Sequence, residues 1–237
     1  MKIAVISDIH GSLHWKKIIP SAGNYDKIIF LGDYFDAWEN VWPQQLDNAR
    51  DIITFKKKFS SKIDLCLGNH DTSYIRNGQC SGYQYNHEIE IKEFFKENKA
   101  FFNVVYAYGS WVFCHAGISE EWMKQAGLSG VSEINGFYAK KPNYFGWFGP
   151  ECHGDNPNEG PLWIRPYSLL KYAIPGYNQA VGHTEQPGPP FFVEGKSDSV
   201  FSPVKENAKY VFTDTHTHDY MTVVDTENDG VVFEKLA

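Results

Sequence analysis

Aspartate, histidine and asparagine recur directly after short apolar runs. Residues 3–6 lead into Ser7-Asp8-Ile9-His10-Gly11, residues 28–31 into Gly32-Asp33-Tyr34-Phe35-Asp36, and residues 65–67 into Gly68-Asn69-His70-Asp71. Later, residues 111–114 precede His115 and residues 180–181 precede Gly182-His183. Carboxylates, imidazoles and one neutral amide form a mixed oxygen and nitrogen donor set, which suits Mn, Fe or Zn better than a soft thiolate-binding metal. One carboxylate can bridge two ions about 3.5–4 Å apart, and such a pair grips a phosphate and acidifies a shared water. An imidazole beside the ions can protonate a leaving oxygen, with a carboxylate fixing its tautomer.

Strands must position these groups. An apolar run closed by a turn residue reads as a buried strand opening into a loop, and rigid scaffolds present reactive side chains on such loops. Between the first three runs, Ser12 is placed to cap a helix to about Ile19, ended by Pro20, and Trp42-Pro43 to open a longer one to about Phe59. That second helix carries an apolar face of Leu46, Ile52, Ile53, Phe55 and Phe59, with Lys56, Lys57 and Lys58 on its solvated side. The β-α-β-α-β alternation argues for a parallel half-sheet with covering helices. Residues 72–85 read as loop and 88–99 as helix. Residues 104–108 and 111–115 read as a hairpin across Gly109-Ser110, and Ser119 starts a short helix to about Gln125.

Residues 134–161, rich in Gly, Pro, Asn and aromatics, show no period and form a candidate lid; a loop so long in a compact domain usually serves function. Residues 166–173 read as helix, and strands are expected near 191–194, 209–213, 220–225 and 230–235. The expected architecture is one α/β domain over residues 1–237, with βαβ units first, mostly antiparallel strands after, and two facing mixed sheets flanked by helices.

The chain of 237 residues carries a formal charge of −7, which argues against non-specific nucleic-acid binding. No apolar run reaches membrane-span length, and residue 1 leads straight into a strand without a signal-peptide pattern. Cys66, Cys80, Cys114 and Cys152 show no paired spacing, so a reduced, cytoplasmic setting is expected. Only Arg50, Arg76 and Arg165 are available for bidentate phosphate recognition.

In order and spelling, Asp8-Ile-His10, Gly32-Asp33-(x)2-Asp36, Gly68-Asn69-His70-Asp71, His115-Ala-Gly and Gly182-His183-Thr184 resemble the five blocks of the calcineurin-like metallophosphoesterase superfamily. Leu162-Trp163-Ile164-Arg165, with the last two blocks, is similar to its bacterial and phage phosphoprotein phosphatase branch, a neighbour of the diadenosine tetraphosphatases. The resemblance implies a four-layer αββα sandwich and two metal ions, Mn first, with Fe or Zn as alternatives. It implies Asp8, His10 and Asp33 on one ion and Asp33, Asn69, His115 and His183 on the other. His70 would be the general acid oriented by Asp36, and Arg165 a contact to substrate phosphate.

The implied reaction is attack of metal-bound hydroxide on a phosphate ester of a protein, in the manner of serine/threonine phosphatases. The alternative is a nucleotide phosphohydrolase or phosphodiesterase acting on diadenosine polyphosphates or 2′,3′-cyclic ends; a non-catalytic scaffold is the third reading. Phosphorylated protein or nucleotide is thus the expected partner, with neither nucleic acid nor membrane. Four positions depart from the branch: Ala37-Trp38 replaces Arg-Gly, Leu67 replaces Arg, and Asp71 replaces Glu. The phosphate clamp is therefore reduced to Arg165, with Arg76 as a candidate helper.

Some side chains carry a second reading. Tyr34, Phe35, Trp38, Trp42, Tyr144, Phe145, Trp147 and Phe148 are core by default, but beside a metal site they could stack on nucleobases, at about 1–3 kcal/mol per base. His216 and His218, flanked by Asp214 and Asp219, make only half a metal site. Cys152-His153 with Asp155 reads as incidental.

Overall fold

A computed structural model describes residues 1–37, 42–146, 155–194, 208–215 and 220–236. Two compact units emerge, Met1–Asn103 with Thr217–Ala237, and Val104–His216. Each has its own mixed sheet with helices, the α/β class expected. Trp38, Trp147, Phe148, Cys152, His153, His216, His218 and Asp219 lie outside the described residues.

The first unit is built on a six-stranded sheet. Strands β1 (Lys2–Ile6), β2 (Lys27–Phe30), β3 (Ile63–Cys66) and the two-residue β4 (Phe102–Asn103) run parallel, in that order. On the other side of β1, β10 (Tyr220–Asp225) and β11 (Gly230–Lys235) add antiparallel strands. The parallel strands are near-continuous apolar runs because both faces are covered. Asp64 is the exception: at 5% exposure it takes Lys27 Nζ at 3.0 Å and lies 3.7 Å from Lys56 Nζ.

The helices depart from expectation in detail. The first crossover is a 3-10 helix, His14–Asn24, with Pro20 inside it; Ser12 Oγ accepts the His14 N–H at 3.3 Å but closes no α-helical turn. Helix α1 (Gln44–Lys58) buries Leu46, Ala49, Ile52, Ile53 and Phe55. Phe59 sits just past its end, and Lys56 is drawn inward by Asp64 rather than solvated. Helix α2 (Asn69–Arg76) occupies the start of the stretch expected to be loop. It buries Asn69, Asp71, Thr72, Ser73 and Tyr74, all polar-bearing, so no apolar period announces it. It ends at Asn77, in the left-handed region. Helix α3 (Glu88–Asn98) turns Ile91, Phe94 and Phe95 inward. Phe35 packs on both phenylalanines, at 5.4 and 5.6 Å between ring centroids. Tyr34 and Phe35 are buried at 1% and 0%, so they are core, as the default has it, and cannot stack on a base.

The second unit holds β5 (Val105–Tyr108), β6 (Trp111–Cys114), β7 (Asn178–Val181), β8 (Phe191–Glu194) and β9 (Lys209–Phe212), ordered β5-β6-β7-β9-β8. The β5–β6 hairpin is present, but β6–β7 and β7–β9 are parallel, so the later strands are less antiparallel than expected. The crossover from β6 to β7 explains this, since it carries α4 (Glu120–Ala126), α5 (Ile134–Lys140) and α6 (Pro166–Lys171). Ser119 Oγ caps α4 by accepting the Trp122 N–H at 3.0 Å.

Part of residues 134–161 is therefore helix rather than loop. Asn135 and Gly136 weaken the helix signal there, yet Asn135 is a clamp: its Oδ1 accepts Val104 and Val105 N–H at 2.9 and 3.1 Å, and its Nδ2 donates to Val105 O at 2.8 Å. Tyr144 and Phe145 pack against Phe137 and Trp122, so both are spent on the core. Among the described residues, no helix is long and apolar enough to cross a membrane.

Candidate metal centre

In the first unit the chemistry sits where β1, β2 and β3 end. Three parallel strands end on one edge, so their following loops are neighbours. Backbone bonds lace the first two loops together: Ile9, His10 and Gly11 N–H donate to Gly32, Asp33 and Tyr34 carbonyls at 3.3, 2.7 and 3.2 Å. The third loop touches the second so closely that side chains are excluded. A Cβ on Gly68 would lie 2.0 Å from Asp33 Oδ1, and one on Gly32, at φ +103°, 2.3 Å from Gly68 N.

In the first unit this lacing goes with bent backbone at the site residues, and His183 of the second unit is bent as well. Among the described residues, seven non-glycines have positive φ, and five are Asp8 (48°), His10 (38°), Asp33 (56°), Asp36 (65°) and His183 (64°). Such conformations cost roughly 1–3 kcal/mol each and persist where surrounding structure over-determines them, typically at functional sites.

Asp8 and Asp33 are each 2% exposed, and buried carboxylates demand a compensating charge or hydrogen-bond donors. Asp33 Oδ1 accepts the His70 N–H at 3.0 Å, and Oδ2 lies 3.6 Å from His10 Nε2 and 4.0 Å from His70 Nε2. His10, Asp33 and His70 all offer ligand atoms within 4.8 Å of one another. Their tautomers differ in cause. His10 Nδ1–H donates to Phe35 O at 2.7 Å, which aims the Nε2 lone pair at Asp33. His70 Nδ1–H donates to Asp36 Oδ2 at 2.8 Å, a carboxylate with no solvent exposure that fixes the orientation of the ring. Asn69, 3% exposed, opens α2, and its Nδ2 faces Cys80 Sγ at 3.6 Å.

In the second unit, His115 follows β6 and His183 follows β7. The parallel pairing of these strands sets the two residues side by side, with Gly182 N–H donating to His115 O at 2.7 Å. His183 Nε2–H donates to Trp163 O at 3.1 Å, so its Nδ1 lone pair faces His115 Nε2 at 3.2 Å. Arg165 Nη1 donates to His183 O at 2.8 Å and Thr184 Oγ1 at 3.2 Å. Arg165 thus braces the bent backbone of His183, a role the sequence did not indicate. Arg76, the suggested helper, is the last residue of α2, about two turns beyond Asn69.

The donor sets fit metal. Two donors sharing one ion at about 2.0–2.2 Å each lie roughly 3.0–3.5 Å apart. His115–His183 at 3.2 Å falls in that range and His10–Asp33 at 3.6 Å is near it, whereas His70–Asp33 at 4.0 Å is wider. The His10 and His70 imidazoles therefore stand at different distances from the shared carboxylate of Asp33.

Three supporting residues stand outside the expected set of site residues. Asp71, fully buried, accepts the N–H groups of Asp33, Tyr34 and Gly68 at 2.8, 2.9 and 2.8 Å. Burial pushes its carboxyl up to about 6, and the three amides with nearby His70 keep it from rising further. Tyr74 donates to Asp36 Oδ1. Cys80, between Asn69 and Ser73, has its thiol pushed up to about 12 by burial. An i,i+4 reading from Asn69 and His70 would have found Ser73 and Tyr74, had residues 69–76 been taken as helix.

A family model described as calcineurin-like phosphoesterase matches residues 1–220. No curated protein gives a significant match. Similar solved structures include a cold-active protein-tyrosine phosphatase of a psychrophilic Shewanella species, with a TM-score of 0.66 and 17% identity over 99% of this chain and 78% of that one. A metallophosphoesterase from Sphaerobacter thermophilus gives 0.52 and 15% over 99% and 87%. A protein serine/threonine phosphatase from Saccharomyces cerevisiae gives 0.55 and 11% over 99% and 79%.

Proposed function

From the premise that the chain belongs to the calcineurin-like phosphoesterase family and is a metal-dependent phosphoester hydrolase, we propose that it removes phosphate from phosphoserine or phosphothreonine in proteins. The hydrolytic site rests on one observation above the rest: five of the candidate site residues sit in left-handed backbone conformations. For the substrate, two structures of similar fold are named as protein phosphatases, one tyrosine and one serine/threonine.

The metal-binding groups in this reading are Asp8, His10, Asp33 and Asn69 in the first unit and His115 and His183 in the second. Two ions are expected, manganese before iron or zinc; when bound they supply Lewis-acid charge to phosphoryl oxygens and acidify water. His10 and His183 are held by carbonyls of Phe35 and Trp163 in the tautomers that present Nε2 and Nδ1 respectively. His70 carries its proton to the leaving oxygen from Nε2, with Asp36 holding Nδ1–H. Arg165 steadies His183 and is also the proposed contact to phosphate. A cytoplasmic setting suits free Cys66, Cys80 and Cys114.

One observation favours a nucleotide phosphohydrolase or phosphodiesterase instead: Arg165 Nη1 is engaged by His183 and Thr184, which weakens a clamp for a dianionic monoester. A substrate panel in Mn²⁺ decides between them, with phosphopeptide, aryl monoester, aryl diester, dinucleoside polyphosphate and 2′,3′-cyclic nucleotide. Highest kcat/KM on phosphopeptide is expected. Faster turnover of a dinucleoside polyphosphate or cyclic nucleotide would establish the alternative, and no hydrolysis with no bound metal would leave a scaffold.

A further inference from the structure

Helix α2 carries more than the third motif. His70 lies in its first turn and Tyr74 four residues on, so both occupy one face. Tyr74 is 1% exposed and stacks on Tyr83, with centroids 4.3 Å apart and planes at 13°. Its hydroxyl accepts the Gln84 backbone N–H at 2.8 Å, so its own proton points the other way, to Asp36 Oδ1. Asp36 then has one oxygen left, Oδ2, which meets His70 Nδ1 at 2.8 Å.

We propose that Tyr74 is a positioning residue for the proton donor: anchored by the Gln84 amide, it takes one oxygen of Asp36 and turns the other to hold the Nδ1–H of His70, which leaves Nε2 as the nitrogen that faces the leaving oxygen. A carboxylate with no solvent exposure must have its lone pairs satisfied by protein groups. Without the tyrosine hydroxyl, Asp36 Oδ1 would be left wanting a donor, and the cheapest relief is rotation of the carboxylate toward backbone amides and away from the imidazole. Burial and the adjacent Asp36 raise the Tyr74 hydroxyl well above the ordinary tyrosine range, so it remains a donor throughout the working pH range. The relay Gln84–Tyr74–Asp36–His70 thereby ties the 77–85 segment to the acid, although none of its first three members faces the reacting atoms. The inference rests on the reading of His70 as general acid.

The test is Tyr74→Phe, which keeps the ring stack and deletes only the donor. In metal-free protein labelled with ¹⁵N-histidine, at a pH high enough for a neutral ring and with His70 assigned by comparison with His70→Asn, wild type is expected to show the Nδ1–H tautomer alone. Tyr74→Phe is expected to show a substantial Nε2–H population. With manganese, kcat on an alkyl monoester should fall roughly 10- to 100-fold, as for other outer-layer partners of catalytic groups. KM and bound manganese should be unchanged, and kcat on an activated aryl ester should fall much less. An unchanged tautomer, or equal losses on both esters, would overturn the proposal. If His70→Asn itself spares the alkyl monoester, the general-acid reading fails; if His70→Asn is impaired and Tyr74→Phe is not, only the role of Tyr74 fails.

Discussion

The buried carboxylate of Asp71 accepts the backbone N–H of Asp33 at 2.8 Å, so the helix that carries Asn69 and His70 also fixes the loop that carries Asp33. Tyr34 and Gly68 amides converge on the same carboxylate. Asp71→Ala would leave three buried N–H groups without their acceptor, at about 1–3 kcal/mol each, partly relieved by water. The urea midpoint of metal-free Asp71→Ala should correspond to a loss of about 3–5 kcal/mol, with Asp71→Asn intermediate because one oxygen remains. A wild-type midpoint in Asp71→Ala would mean that the amides find other acceptors.

His70→Asn is expected to keep wild-type manganese content while kcat on alkyl monoesters falls about 10²- to 10⁴-fold, the usual worth of a general acid. Activated aryl esters, whose leaving groups need no proton, should lose far less. His10→Asn is the contrast, since its Nε2 lone pair is aimed at Asp33 by Phe35. It should lose metal, measured by elemental analysis of the dialysed protein. Lost metal in His70→Asn would instead make His70 a ligand.

The strand-end clustering of candidate donors was legible because aspartates and histidines follow apolar runs that parallel sheets require. Buried runs such as Ile28 to Phe30 gave the strands, and Gly32 and Gly68 marked where loops come too close for a side chain. Helix α2 was not legible, since it packs Asn69, Asp71, Ser73 and Tyr74 inward to serve the site. Polar burial of that kind erases the apolar period. Asn135 hid α5 for a related reason: a poor helix former was placed there to clamp Val104 and Val105. The bracing of His183 by Arg165 was not legible, because nothing in sequence shows that its Nη1 meets a carbonyl eighteen residues away.

Asp8 and Asp33 are buried beside His10, so divalent cations should stabilise the fold by relieving charge held out of water. Mn²⁺ at 100 times its Kd should add about 2.7 kcal/mol by mass action. Thermal melts in a manganese series should show Tm rising with log concentration and returning to the metal-free value with EDTA. A Tm indifferent to manganese, iron and zinc would contradict metal binding by the native state.

Cys80 Sγ accepts Asn69 Nδ2–H and is itself met by Ser73 Oγ at 2.8 Å, so the thiol decides which end of the Asn69 amide faces away. Cys80→Ala removes the acceptor and frees the amide to flip, whereas Cys80→Ser keeps an acceptor. Manganese affinity, measured by calorimetry, should fall roughly 10-fold or more in Cys80→Ala and much less in Cys80→Ser. Equal affinities in all three proteins would mean that Asn69 is oriented by other groups.

Arg165 offers two roles that one pair of variants separates. As a brace, its Nη1 holds the carbonyl of His183, whose φ of 64° needs support. As a phosphate contact, it would act on substrate binding and leave the imidazole where it is. Arg165→Ala removes both, while Arg165→Lys keeps a charge near phosphate but, being shorter, falls short of the point from which Nη1 reaches both His183 O and Thr184 Oγ1. If bracing dominates, Arg165→Lys should resemble Arg165→Ala, with manganese bound less tightly and KM little changed. If phosphate contact dominates, both variants should keep wild-type manganese affinity, and Arg165→Lys should recover much of the KM lost in Arg165→Ala. The donor geometry of Arg165 Nη1, at 2.8 Å from the His183 carbonyl, makes the first pattern the expected one.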